Sequence, residues 1–516
     1  MTALSAVALG AAAISIICAD LRWLRVAQHE HYLPGAVARF GWRWWTSTPL
    51  NIALAAAAVI SAAVATIAPA AALATGAIVG IGPVGLRLRG RTSRLAWTRR
   101  MSQVVFVTVG LEGLGIALAA VFGSLSAAVL AAAWSAIAIP LFVDVALAVL
   151  RPVEDVLAQR YVGRASAVLA RVRPLVVGIT GSYGKTTTKT YVAHLIAGDR
   201  SVVASPRSFN NRAGLARTVN EHLVPGTEVL VAEMGAYGPG EISALCLWLQ
   251  PDVVVITSIG PAHLERFGTL DRTLSAKAEI TSAARVVVLN IDDERLEGLA
   301  RRLGATQKVV RVSGTDVSAD VAVLEHADGL ELRLCGETSG VVVLARGSPS
   351  PIRSNAACAV AVAVEIGIDP EVVVRRLSSL PSVPNRLQRY QAKAGYVVLD
   401  DTFNANPAGA RHALDALASE ASEGRRVLVT PGMVELGKTQ TAENAALAER
   451  AAGVLTDLVV VGRTNRAALV EGCRRAGLPL SVKLVGTREE AVAWAREQLG
   501  PGDAVLFEND LPDHFP

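Results

Sequence analysis

The residues best placed to do chemistry sit in one octapeptide, Thr180-Gly181-Ser182-Tyr183-Gly184-Lys185-Thr186-Thr187, which follows the apolar run Leu175–Ile179 directly. Glycines there let the backbone fold around phosphates, and amide groups at a following helix start point at the anion. Lys185 reaches the β- and γ-phosphates, and the Thr186 hydroxyl binds Mg²⁺. A strict phosphate-binding loop carries glycine at position 179, where this chain has Ile179. Glu233 closes the apolar run Val229–Glu233, so its carboxylate falls at the strand edge where α/β proteins hold ligands, able to complete the Mg²⁺ sphere begun by Thr186. His263 and Glu265 follow a third run, Val253–Thr257, and fall on the same edge.

Such a constellation needs a scaffold of parallel strands. From Leu175 onward, short β-branched runs alternate with Ala-rich helical stretches: the three above, then Val286–Asn290, Val397–Asp400, Val427–Thr430, Leu458–Val461 and Ala504–Phe507. This alternation predicts α/β architecture with a parallel sheet. Pro, Ser and Asn cluster at Pro381–Arg386 and mark a seam, so two α/β domains are expected, at 174–384 and 385–516.

The first 150 residues have another texture. Leu4–Cys18, Asn51–Leu86, Val104–Phe122 (broken by Glu112) and Leu125–Leu150 (broken by Asp144) are long apolar stretches. A spanning helix takes about 20 apolar residues, so Asn51–Leu86 suits two short helices turning near Pro69. An α-helical transmembrane bundle of about five spans is expected over 1–150, with an amphipathic connector on the inner membrane surface at 151–173. The N-terminus lacks a basic region and cleavage site and reads as a retained span. Glu112 and Asp144 lie at similar depths and could share a proton or a ligand.

Charge along the chain agrees. The 516 residues carry 50 Lys+Arg against 45 Asp+Glu, net +5, with 52% hydrophobic residues. Ten arginines and four acids fall in residues 1–150, and the remainder is close to neutral. The arginines gather in segments 20–49 and 87–103, which places both on the cytoplasmic side and, with five spans, puts the catalytic domains in the cytoplasm of a multi-pass inner-membrane protein. A near-neutral soluble part with few aromatics argues against nucleic acid as a partner. Five scattered cysteines without a CxxC pair fit a reducing compartment and neither zinc nor disulfides.

The soluble constellation resembles the Mur ligases, most closely the branch that adds D-alanyl-D-alanine to the UDP-N-acetylmuramoyl tripeptide. The matching stretches are Thr180–Thr188, Ser208–Gly214, Ala232–Gly235, Ala262–Gly268, Ala276–Ile280, Leu289-Asn290, Asn385-Arg386, Asp400–Pro407 and Gly432–Gly437, in order along about two thirds of the chain. The resemblance implies a ligase that uses ATP to convert a carboxylate to an acyl phosphate, which an amine then attacks. It assigns Thr180, Gly181, Ser182, Gly184, Lys185, Thr186 and Thr187 to ATP, with Asn290 and Asn355 at the adenine, Arg386 at the phosphates and Asp401 contributing from the second domain. Thr186 and Glu233 would hold one Mg²⁺, and His263 with a carbamylated Lys277 a second. Catalytic roles fall to Lys185, His263, Lys277 and Asp401, and substrate contacts to Asn210, Asn211, Asn404 and Asn406. The two domains should close over ATP and exclude water.

Two departures from the resembled branch shape the expected substrates. A membrane domain stands where the family's soluble UDP-sugar-binding domain would be, so the carboxylate acceptor is a small molecule or a lipid-linked precursor of the cell wall or envelope, delivered at the membrane. Where that branch has Lys-Gly-Ser, this chain has Glu508-Asn509-Asp510, with Asp513 beyond. An acidic cluster there suits an amine donor and disfavours a free carboxylate such as that of D-alanyl-D-alanine. An amino acid polymer synthase of the poly-γ-glutamate kind and a P-loop ATPase driving transport are the alternative functions.

Overall fold

The computed structural model describes residues 3–30, 32–86, 95–206, 209–262, 264–343, 352–403, 405–420, 424–511 and 515, with side chains from residue 15 onward except at 283. His263, Asn404, Ser208, Asp513 and the arginines at 87, 89, 91 and 94 lie outside the described residues. The chain divides into two compact units, residues 1–157 with 511–516 and residues 158–510.

The first unit is helical: α1 (Ala3–His29), α2 (Ala36–Trp45), α3 (Pro49–Val64), α4 (Ala71–Ile81), α5 (Arg99–Phe122) and α6 (Leu125–Val172), the last continuing into the second unit. Among the described residues α5 and α6 are long and apolar enough to cross a membrane, and α2 with α3, bent by 111°, makes a third if the pair is one span. This is two or three, against the five expected. The stretch Asn51–Leu86 does break into two helices, but α4 has 11 residues, a rise of about 16 Å against the ~30 Å of a hydrocarbon core.

The segment 20–49, whose arginines set it apart from the apolar stretches as a connection between spans, is also largely helical. α1 runs on past Cys18 because its charged residues find partners inside the unit. The Arg22 guanidinium donates to the carbonyls of Val79 (3.2 Å), Gly80 (2.9 Å) and Gly82, satisfying orphan carbonyls at the end of α4. Asp20 hydrogen-bonds to Glu112 on α5. Asp144 on α6 instead accepts the backbone N–H groups of Val37 (3.2 Å) and Ala38 (2.8 Å) at the start of α2. Glu112 and Asp144 therefore serve different helices and form no shared site. The expected connector is part of α6, which passes through Pro140 and Pro152 without ending.

The second unit holds two sheets. The first is built from β1 (Leu175–Thr180), α7 (Lys185–Ile196), β2 (Val202–Ala204), α8 (Arg212–His222), β3 (Val229–Glu233), α9 (Glu241–Leu249), β4 (Val253–Ile256), α10 (Leu264–Phe267), α11 (Leu270–Ala278), β5 (Val286–Asn290), α12 (Glu294–Leu303), β6 (Lys308–Ser313), β7 (Val321–His326), β8 (Gly329–Leu334), β9 (Glu337–Val343), α13 (Arg353–Glu365) and α14 (Pro370–Leu377). Its order is β2-β3-β1-β4-β5-β6-β7-β8-β9. Successive residues of a strand point to opposite faces, and here both faces are covered: Val177 and Ile179 pack with α7 and α13, Val176 with α8, α9 and the end of α6. That double burial is why the strands read as continuous apolar runs. Every residue of α13 from Asn355 to Ala363 is buried, as its Ala-rich sequence permits on all sides.

The second sheet comprises β10 (Gln388–Gln391), β11 (Val397–Asp401), α15 (Pro407–Glu420), β12 (Arg426–Thr430), α16 (Gln440–Ala452), β13 (Asp457–Val461), α17 (Arg466–Ala476), β14 (Ser481–Val485), α18 (Arg488–Gln498) and β15 (Ala504–Glu508), ordered β10-β11-β15-β12-β13-β14. Neither sheet is purely parallel. β7-β8-β9 form an antiparallel extension of the first, and β10 is an antiparallel edge of the second. These strands carry charged residues at alternate positions, such as Glu331 and Arg333, so a search for apolar runs passes over them.

Candidate active site

The octapeptide lies between β1 and α7 and turns sharply there. Gly181 has φ +151° and Gly184 has φ +79°; a Cβ at Gly181 would fall on the Thr257 hydroxyl, and one at Gly184 would come within 2.3 Å of the Asn355 amide oxygen. Only glycine allows that path. Gly184 is the N-cap of α7, with no side-chain cap, which leaves the helix start to an anion. The Lys185 ammonium folds back onto the carbonyls of Gly181 (2.7 Å) and Ser182 (3.3 Å). Burial lowers its pKa, Glu233 opposes the shift, and Arg386 adds to it.

Glu233, at the end of β3, gathers a second group. Its Oε2 accepts the Thr186 hydroxyl (2.9 Å) and the Lys189 ammonium (3.1 Å), and its Oε1 accepts the Asn210 amide (3.2 Å). Burial alone would raise this carboxyl, but Lys189, Lys185 and the hydrogen bonds hold it below its ordinary value. Asn210, expected to touch substrate, is thus engaged with Glu233. Asn211 caps α8 through the Gly214 N–H (2.9 Å). Lys277, at the end of α11, is buried with its ammonium 5.9 Å from the Phe267 ring centre. Burial and the nearby Lys185 charge lower its pKa well below the usual lysine range.

A cavity of about 950 Å³ opens beside the loop, within the range of small-molecule sites. Gly184, Thr187, Asn290 and Asn355 line one side; Arg386, Asp401 and Asn406, which follow the seam, line the other. Asn290 is fixed by the Thr257 carbonyl (2.9 Å) and the Asp292 N–H (3.2 Å). Arg386 stacks on Phe403 at 4.3 Å. Burial pushes the Asp401 carboxyl up to about 6, against Arg386 and the Leu387 N–H it accepts at 3.1 Å.

The sequence reading missed Lys189, although its signal was present: four residues after Lys185, it shares that residue's helix face. It also missed Asp292, Asp293, Arg411 and His412, which line the cavity and carry no motif of their own. The acidic stretch at the C-terminus does not act as a cluster. Asp510 is paired with Arg488, Asn509 donates to the Gly432 carbonyl (2.7 Å), and Glu508 is buried, accepting the Thr430 hydroxyl.

Comparison with known proteins places this geometry. The Mur ligase middle domain matches residues 179–363, and the Mur ligase glutamate ligase domain matches residues 385–508. The UDP-N-acetylmuramoyl-tripeptide–D-alanyl-D-alanine ligase of Mycobacterium bovis is 34% identical over 359 residues, covering 64% of this chain and 70% of that protein. The chain belongs to the Mur ligase family. The UDP-N-acetylmuramoyl-tripeptide–D-alanyl-D-alanine ligase of Escherichia coli is 31% identical over 315 residues, covering 59% of this chain and 68% of that protein. Among solved structures, MurF from Acinetobacter baumannii superposes with a TM-score of 0.60 at 26% identity, over 68% of this chain and 77% of that one. MurF from Thermotoga maritima, in complex with ADP, gives 0.57 at 27%, over 68% and 80%.

As a Mur ligase the chain is an ATP-dependent enzyme that forms carbon–nitrogen bonds between an acid and an amine, with Mg²⁺. The residues present fit both. The glycine cradle and uncapped α7 suit a phosphate chain, and the Thr186–Glu233 pair offers hard oxygen ligands for Mg²⁺. Among the described residues no three of His, Cys, Asp and Glu come together, so a second cation near Lys277 would need oxygen from another source.

Proposed function

We propose that this protein is a membrane-anchored Mur-type ligase that joins an amine to a carboxylate on a cell-wall or envelope precursor. One observation carries the reading: the cavity that Gly184 and Thr187 of the phosphate-binding loop line together with Arg386 and Asp401. ATP bound there would lie with its phosphates against Gly181, Ser182, Gly184, Lys185 and Thr187, beside Thr180 at the strand end, and with Asn290 and Asn355 at its base. Arg386 and Asp401 approach from the other side. Thr186 and Glu233 would hold Mg²⁺, which neutralises charge on the transferring phosphoryl group. Lys185 and Arg386 position that group, and closure of the two walls keeps water from a hydrolysable acyl phosphate. Lys277, buried and pushed toward its neutral amine, is suited to take up CO₂ as a carbamate and so supply the missing oxygen ligand, with His263 as the partner expected from sequence. Asn406, on the cavity wall, and Asn404 are the remaining candidates for substrate contact.

The anchoring rests on α5 and α6 and on large apolar side chains left exposed on α5, among them Phe106 and Phe122, a surface that water disfavours and lipid does not. Arg39 and Arg43 keep the positive charge expected on the cytoplasmic side. An acceptor delivered at the membrane, lipid-linked or not, fits this placement. The test is fractionation followed by turnover. Full-length protein should stay with the membrane through an alkaline wash, and after detergent extraction should release ADP and phosphate only when both a carboxylate and an amine are supplied. Recovery in the alkaline supernatant would remove the anchor, and turnover indifferent to either substrate would remove the ligase.

A further inference from the structure

Three polar residues form a row across the carboxyl edge of the second sheet. Asp401 on β11 is the register partner of Glu508 on β15, and Thr430 on β12 lies one residue beyond the Val429–Phe507 pair on the other side of β15. Each stands two residues after a leucine of one core face, Leu399, Leu506 and Leu428, so all three side chains project from the same face of the sheet. Asp401 at one end lines the cavity. Glu508 is next in the row and is buried; its Oε2 accepts the Thr430 hydroxyl, and its Oε1 has no hydrogen-bond partner.

An orphaned carboxylate oxygen in a buried position is costly, and a ligand cation would relieve that cost. The two acids of the row are held differently. Asp401 has the Arg386 charge and the Leu387 N–H, whereas Glu508 has a neutral hydroxyl and the Asp401 carboxyl beside it. We infer that Glu508 receives the ammonium of the incoming amine and takes its proton, Asp401 remaining as a fixed anion facing Arg386. This rests on the ligase reading above and names its amine subsite.

The chemistry requires such a group, because an amine attacks only after losing a proton. Above about pH 8, where the Glu508 carboxyl is ionised, one ammonium proton passes to it, and the freed nitrogen pair forms the bond to the acyl carbon. The carbon–oxygen bond to phosphate then breaks, its electron pair leaves with inorganic phosphate, and the nitrogen's remaining surplus proton goes to that phosphate. Burial pushes the Glu508 carboxyl up to about 8, with Thr430 opposing and Asp401 adding, while Asp401 reaches about 6. Neighbouring acids held apart in this way divide the roles of proton acceptor and fixed charge. With Asp401 also present, the subsite favours a donor without a free carboxylate close to its amine.

Hydroxylamine separates the steps, since it is mostly unprotonated at neutral pH and needs neither an ammonium subsite nor a base. Full-length protein in detergent would be given ATP, Mg²⁺ and UDP-N-acetylmuramoyl tripeptide or its lipid-linked form, with hydroxylamine, glycinamide or D-alanyl-D-alanine as nucleophile. The wild type should form hydroxamate with hydroxylamine and amide with glycinamide in preference to D-alanyl-D-alanine. Glu508→Gln should lose about 100-fold or more of amide formation while still forming hydroxamate, which also shows that it is folded, and Glu508→Asp should recover part of the loss. Equal amide rates in wild type and Glu508→Gln, or hydroxamate lost in step with amide, would overturn the role of Glu508. A wild type that makes no hydroxamate from any carboxylate would overturn the ligase reading and this inference together. Preference for D-alanyl-D-alanine would overturn the donor class.

Discussion

The Lys189 ammonium lies 3.1 Å from the Glu233 carboxylate, with both side chains almost wholly buried. A buried pair gains little over a neutral replacement, but removing one partner strands a charge at about 3–5 kcal/mol. Lys189→Met should therefore lower unfolding free energy by that order, and Lys189→Met with Glu233→Gln should lose less than the single change. Urea denaturation reads both. A single substitution costing under about 1 kcal/mol would mean that Glu233 is satisfied without Lys189.

Gly184→Ala adds a methyl at φ +79° and within 2.3 Å of the Asn355 amide oxygen. Fluorescent ATP-analogue titration should show at least about a tenfold loss of affinity, equivalent to about 1.4 kcal/mol. Wild-type affinity in Gly184→Ala would dismiss the loop as the phosphate site.

Lys277 is expected to carry CO₂. Lys277→Ala should lose ligase activity and regain part of it with added short carboxylates, and removal of dissolved CO₂ should lower the wild-type rate. A loss that neither carboxylates nor bicarbonate repair would identify a lysine acting through its positive charge.

The edge acids set a pH dependence. Asp401 and Glu508 are raised to about 6 and about 8 from unfolded values of about 4. The folded state therefore holds protons that the unfolded chain releases, and the stability this provides is complete below the unfolded values and lost as pH rises through the folded ones. Melting temperature should fall between about pH 5 and 8, and Glu508→Gln should flatten the upper part of that fall. A wild-type melting temperature that rises across this window, or an unchanged slope in the variant, would contradict it.

Much of this was legible in the sequence for definite reasons. The eight apolar runs from Leu175 to Phe507 are strands to within one residue at each end because both sheet faces are buried and leave no alternation to misread. The loop at Gly181–Thr187 was legible because its backbone admits few residue types. The helical unit was less so. The apolar run ending at Cys18 signalled a span's end, yet α1 continues because Arg22 and Asp20 are satisfied by α4 and α5, and partners so distant in sequence leave no local mark. Glu508 shows the same limit: its acidic neighbours suggested a cluster, and only strand pairing reveals that Asp510 is occupied by Arg488 while Glu508 stands beside Asp401.

ATP-driven amide ligation at a membrane is read most directly by mass-spectrometric detection of its product. Detergent-extracted full-length protein would receive ATP, Mg²⁺, a UDP-linked or lipid-linked muramoyl peptide and an amine. The expected result is one amide, one ADP and one phosphate formed together, each dependent on both substrates and abolished by Lys185→Ala. ADP released at the same rate with neither substrate present, and no amide formed, would contradict the account.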